Sequence, residues 1–158
     1  MTLSRLSDEA LLSAFLGCRL DNRDFHHAEH VRVAFMLLRR RDFGEATTIF
    51  RSGLKAIAAS AGKPAAYHET VTLAFLSLVG EHLARENWKN YPEFIRANPD
   101  LLDKSLLLRW YAKERLASET ARKTFLLPLW DRSAGFEITN ARTDGHGQAR
   151  TTGDPAEI

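Results

Sequence analysis

Apolar residues in this chain recur at three- and four-residue intervals from Leu11 to Val79, and no segment alternates long enough to line one face of a strand. A helix with one apolar stripe must bury it against another element, so this regularity confines the chain to helices packed on helices. A length of 158 residues suffices for one core without disulfides or a structural metal. The reading is all-α: a single-domain bundle of about six helices over residues 1–130, followed by a polar, flexible tail over residues 131–158. The tail is rich in Thr, Gly, Asp and Arg from Ala141 to Pro155 and has no apolar period.

Polar residues mark the helix ends. Ser7 caps a first helix whose opening turn carries Asp8 and Glu9, where carboxylates suit the positive end of the dipole. Its stripe is Leu11, Leu12, Phe15, Leu16 and Leu20. A second helix is expected from Phe25 to Arg40, with Val31, Ala34, Phe35 and Leu38 on one side. Asp42 and Glu45 open a third, which faces inward through Ala46, Ile49, Phe50, Gly53, Leu54 and Ile57 and stops at Gly62-Lys63-Pro64. A fourth helix runs from near Tyr67 to about Glu86. Asn90-Tyr91-Pro92 and Asn98-Pro99-Asp100 each open a shorter one with proline near the first helical position, and Ser118 caps a last helix to Phe125.

The histidines carry the chemical interest. His26, His27 and His30 fall in the first turn of the second helix, and His68 falls in the first turn of the fourth. Residues three or four apart share a helix face, so His27 or His26 is paired with His30. His27 continues into Val31 and Ala34, and His68 into Val71 and Phe75, so both are expected to point inward. Short connections make successive helices antiparallel, which brings the starts of the second and fourth helices to the same end of the bundle.

His27, His30, His68 and Glu69 are therefore expected to converge as metal ligands. Neutral imidazoles with one carboxylate suit Zn, Fe, Ni or Cu and leave positions open for water or substrate. Glu69 and Tyr67 would then serve catalysis, and Arg122 and Arg109 would contact an anionic small-molecule substrate. Helix starts are electropositive and oppose a cation, a cost that Glu29 and Glu69 would have to offset. Two other readings stand beside this one. In a non-catalytic interaction or scaffold protein, the same groups form a structural cluster tying the second and fourth helices together. In a metal-free enzyme, His68 and Glu69 work as acid and base.

Phe25-His26-His27-Ala28-Glu29-His30-Val31 and Tyr67-His68-Glu69-Thr70-Val71-Thr72 resemble the F-x-H-x-x-H and Y-H-E-T blocks of an uncharacterised bacterial protein family. The stretches from Asn98 to Asp103 and from Leu116 to Phe125 are similar to its later blocks. The resemblance spans about residues 23–128. It implies a folding unit with His27, His30, Tyr67, His68, Glu69 and Arg122 as motif residues, and no particular reaction. The family pattern continues past the final Phe into Leu-Pro-Asp, whereas this chain has Leu127-Pro128-Leu129.

Other features favour plainer roles. Arg39-Arg40-Arg41 suits the negative end of the second helix, and a net charge of +2 argues against a nucleic-acid partner. Cys18, the one cysteine, is expected as a small buried residue in a reducing, cytoplasmic setting. No stretch approaches the ~20 apolar residues that cross a bilayer, so no membrane partner is expected, and a homo-oligomer stays open. Trp88, Trp110, Trp130, Tyr91 and Tyr111 are read as packing for the C-terminal helices.

Overall fold

The expected punctuation becomes helix boundaries in the computed structural model, which describes residues 3–128. Helix α1 spans Asp8–Leu16, α2 His27–Leu38, α3 Phe43–Ser60, α4 Glu69–Arg85 and α5 Tyr91–Ala97. Two short helices follow, α6 over Lys113–Ala117 and α7 over Glu119–Lys123. Among the described residues there is no strand, and the fold is all-α. The tail read over residues 131–158 lies outside the described residues.

Each cap has a chemical reason. The Ser7, Asp42, Asn90 and Ser118 side chains accept backbone N–H groups at the starts of α1, α3, α5 and α7. Helix α3 ends as the sequence indicates. Gly62 takes a left-handed φ of 67°, and the N–H groups of Gly62 and Lys63 return to Ala59 O and Ala58 O. The end of α1 has the same pattern, with Cys18 N–H on Phe15 O and Arg19 N–H on Ala14 O. There the left-handed residue is Cys18 (φ 51°), not the preceding Gly17. Cys18 is therefore carried outward and is exposed, contrary to the expectation that it is buried.

Helix α2 is the axis of the fold. Val31, Val33, Ala34, Phe35, Met36 and Leu37 are all buried, so most of its circumference is apolar rather than one stripe. The reason is that α1, α3, α4 and α5 all pack on it. Phe15 of α1 lies between Phe25 and Phe50, with ring centroids 5.7 and 5.9 Å away, and its ring fills the space over Gly53.

The single helix expected after Asn98 is two 3-10 turns, Pro99–Leu102 and Lys104–Arg109. Asp103 breaks it. Its carboxylate accepts the Ser105 backbone N–H at 2.8 Å and the Ser105 hydroxyl at 2.7 Å, a local bond that competes with helical continuation. Past α7 the chain is extended. The Thr70 hydroxyl, fully buried on α4, donates to Thr124 O at 2.7 Å and accepts from Leu126 N–H at 3.1 Å.

Candidate functional site

The expected topology holds at the ends of α2 and α4. His27 and His30 of α2 line one small cavity of about 50 Å³ together with Val71, Thr72 and Phe75 of α4. The His27 ring meets the Phe75 ring edge-on at 4.5 Å, and the His30 ring lies 4.5 Å from that of Phe25. The two helix starts are thus neighbours.

Their donor atoms turn elsewhere. His27 Nε2 lies 2.9 Å from Leu101 O, and a carbonyl only accepts, so Nε2 carries the proton and donates. His68 caps α4: its Nδ1 accepts the Val71 N–H at 3.3 Å while its Nε2 donates to Leu116 O at 2.8 Å. Both ring nitrogens of His68 are therefore committed to backbone groups. His26 precedes α2, where its backbone N–H is accepted by the Glu29 carboxylate at 3.1 Å.

Glu69 is buried and faces α3 rather than the imidazoles. One of its oxygens is 2.6 Å from Arg51 Nη2. The other accepts the Tyr67 hydroxyl at 2.8 Å and lies 3.8 Å from Lys55 Nζ. Burial, and then the Glu69 carboxylate it donates to, push the Tyr67 phenol up to about 12, so it is a fixed donor. The Tyr67 hydroxyl in turn raises the Arg51 guanidinium above its usual value. Lys55 sits 4.8 Å over the Tyr67 ring.

Arg51 and Lys55 are the polar partners that the sequence reading missed. Their four-residue spacing on the third helix, opposite a Tyr-x-Glu segment, is the signal that could have shown them. Arg122 is exposed and donates to Ala65 O at 3.2 Å, beside the Tyr67 segment. Arg109 lies apart, 3.8 Å from Asp100. Among the described residues, no three His, Cys, Asp or Glu side chains are grouped so as to hold a metal ion. His27 and His30 share a cavity, His68 faces α6, and Glu69 faces α3. A centre built from all four would have to free a ring nitrogen of His68 from Val71 or Leu116 and turn Glu69 away from Arg51, whereas His27 could keep its bond to Leu101 and offer Nδ1.

A further buried histidine lies near the far end of α4, its ring bonded to a side chain rather than to the backbone. Buried His82 donates from Nδ1 to Asn98 Oδ1 at 2.5 Å, while Asn98 Nδ2 donates to Phe94 O and Trp88 Nε1 donates to His82 O. Trp88 is buried and fits its packing role, whereas Trp110 is 40% exposed and Trp130 lies outside the described residues. The arginine run is engaged on the surface: Arg39 reaches Lys89 O, Arg40 pairs with Glu9, and Arg41 lies 3.8 Å from Glu45. No described helix is long and apolar enough to cross a membrane.

Desolvation sets the acid response of this end of the fold. Burial, reinforced by His27 and Lys104, holds His30 down to about 4. Burial likewise lowers His27, against the Leu101 hydrogen bond and the Asp103 charge, which favour its protonated form. Because the folded values lie below the unfolded value of roughly 6.5, the unfolded chain takes up the proton first. The stability these neutral rings support is whole above about pH 6.5 and is lost as pH falls toward 4. Urea unfolding at pH 7.5 and pH 5 is expected to differ by about 2 kcal/mol from His30, and a His30→Leu variant should flatten that difference.

Fold and contacts together define an all-α domain whose polar interior is organised by histidine–backbone bonds and one buried carboxylate. Comparison with protein-family models, with curated proteins and with solved structures yields no match. The resemblance drawn from the Phe25 and Tyr67 blocks therefore stands on those residues.

Proposed function

We propose that this chain is a non-catalytic helical interaction or scaffold module, with His27, His68 and Glu69 acting as structural ties rather than as a reaction centre. One observation carries the reading: His27 and His68 each donate Nε2–H to a main-chain carbonyl of the C-terminal half, Leu101 O and Leu116 O. Each tie joins a helix start to a segment 74 or 48 residues later in the chain. The turns after α5 are short and bury Leu101, Leu106 and Leu107 in the core, and the histidine bonds add fixed polar anchors to that packing. Directional bonds from buried polar groups favour one arrangement over many.

The carboxylate supports the same reading. A general base needs a free lone pair and a proton affinity near working pH. Both oxygens of Glu69 already accept from, or pair with, donors on Arg51, Lys55 and Tyr67. Function then resides on the surface that the ties hold in shape.

The test compares His27→Gln and His68→Asn with the parent protein. Asn retains N-cap capacity, so His68→Asn removes chiefly the bond to Leu116. Each variant is expected to keep its helical circular dichroism and lose about 1–2 kcal/mol, seen as a melting point lower by several degrees. Both variants and the parent, purified without a His-tag and reconstituted, should hold well under one equivalent of transition metal. A parent that binds one equivalent, with variants that lose the metal and keep their melting point, would overturn the reading.

A further inference from the structure

Of the seven large apolar side chains exposed among the described residues, five follow α5: Leu102, Leu108, Trp110, Phe125 and Leu127. Between this stretch and α4 runs a groove of about 280 Å³. Leu78, Leu107, Trp110 and Phe125 give it apolar walls, Glu81 contributes a carboxylate, and Pro128 stands at its edge. Glu81 has no ion pair among the described residues. Ser77 lines the groove as well, and a largely apolar groove with a carboxylate free of ion pairs fits an occupant that is itself apolar and carries an N–H donor.

The path of the chain names that occupant. The segment leading to the groove is held by successive hydrogen bonds: Thr70 to Thr124 and Leu126, Tyr111 Oη to Leu126 O at 2.8 Å, and Arg115 Nη2 to Leu127 O at 3.1 Å. These bonds deliver Pro128 to the groove at a fixed place. The next two residues in the sequence are Leu129 and Trp130. A side chain tethered within one or two residues of its site binds intramolecularly, at an effective concentration no free partner matches. Indole is an apolar body with one N–H that seeks an acceptor when buried.

We propose that this groove is a docking site for the chain's own Leu129 and Trp130, with the Trp130 indole N–H donated to the Glu81 carboxylate. The occupant covers the apolar wall formed by Trp110 and Phe125. The histidine ties play no part in this assignment, so it stands or falls separately from them.

Fluorine NMR of the full chain grown with 5-fluorotryptophan tests it, with the Trp130 resonance assigned by its loss in Trp130→Phe. The resonance is expected to be displaced from that of free fluorotryptophan and unchanged on dilution. It should return toward the free position in Trp110→Ala, and move by a smaller amount in Glu81→Gln, whose exposed position spares the fold. A wild-type resonance at the free position would overturn the proposal, as would a displaced one indifferent to both variants. A displacement that vanishes on dilution would give the groove to a second copy of the chain, and also overturn it.

Discussion

Glu69→Ala is expected to lower the unfolding free energy by about 2–3 kcal/mol, although the residue sits where a catalytic carboxylate was anticipated. Breaking a buried ion pair from one side costs ~3–5 kcal/mol because the remaining charge is left without its partner. Arg51 and Lys55 are partly exposed and recover some hydration, which reduces that figure. The Tyr67 hydroxyl loses its acceptor as well, adding about 1 kcal/mol. Guanidinium unfolding checks the value. A companion experiment separates charge from shape: Arg51→Met in the Glu69→Gln background should restore part of the loss, since neither partner then leaves an orphan. A Glu69→Ala loss below ~0.5 kcal/mol would mean that the carboxylate is spared for some other purpose.

Gly53→Ala should cost about 2–4 kcal/mol, where helix propensity alone would make it stabilising by ~1 kcal/mol. A methyl at this position would lie 2.3 Å from Phe15 Cζ, with two further ring carbons inside 3.0 Å. The ring cannot swing aside, because Phe15 is fully buried against Phe25 and Phe50. The sign of the effect therefore reports the α1–α3 packing directly. Phe15→Leu in the Gly53→Ala background is expected to recover a substantial part of the loss by vacating the space the methyl needs. A Gly53→Ala protein more stable than the parent would contradict the seam described here.

Both results concern residues whose partners lay beyond the reach of periodicity. The sequence placed Phe15 and Gly53 on inward stripes, and both are inward, but a stripe does not say which neighbour it meets. Long amphipathic helices were legible because burial of one face imposes its period on the chain, and the caps at Ser7, Asp42, Asn90 and Ser118 were legible because orphan N–H groups select a few side chains. The C-terminal half was less so. Over Pro99–Arg109, a single Asp103–Ser105 interaction decides between one helix and two 3-10 turns, and in α6 five residues offer no period to read.

The site was legible in its topology and not in its bonds. Antiparallel succession brought the starts of α2 and α4 to one end, as expected, and His27 and His30 share a cavity there with Val71, Thr72 and Phe75. Where each imidazole nitrogen points depends on distant carbonyls, Leu101 and Leu116, which have no sequence signature at all. The Tyr67-His68-Glu69 segment alone likewise does not show that the carboxylate faces two cations on α3; only the four-residue spacing of Arg51 and Lys55 points to it.

The structural role of His27 and His68 rests on where two protons are held. Long-range 1H–15N spectra of the protein labelled with 15N-histidine, taken at pH 7.5 before and after one equivalent of Zn²⁺, read those protons directly. His27 and His68 are expected as neutral Nε2–H tautomers that exchange slowly with solvent and do not respond to the ion. A zinc-induced shift of His27 Nδ1 or of either His68 nitrogen, or an Nδ1–H tautomer at either ring, would contradict the structural role assigned to them.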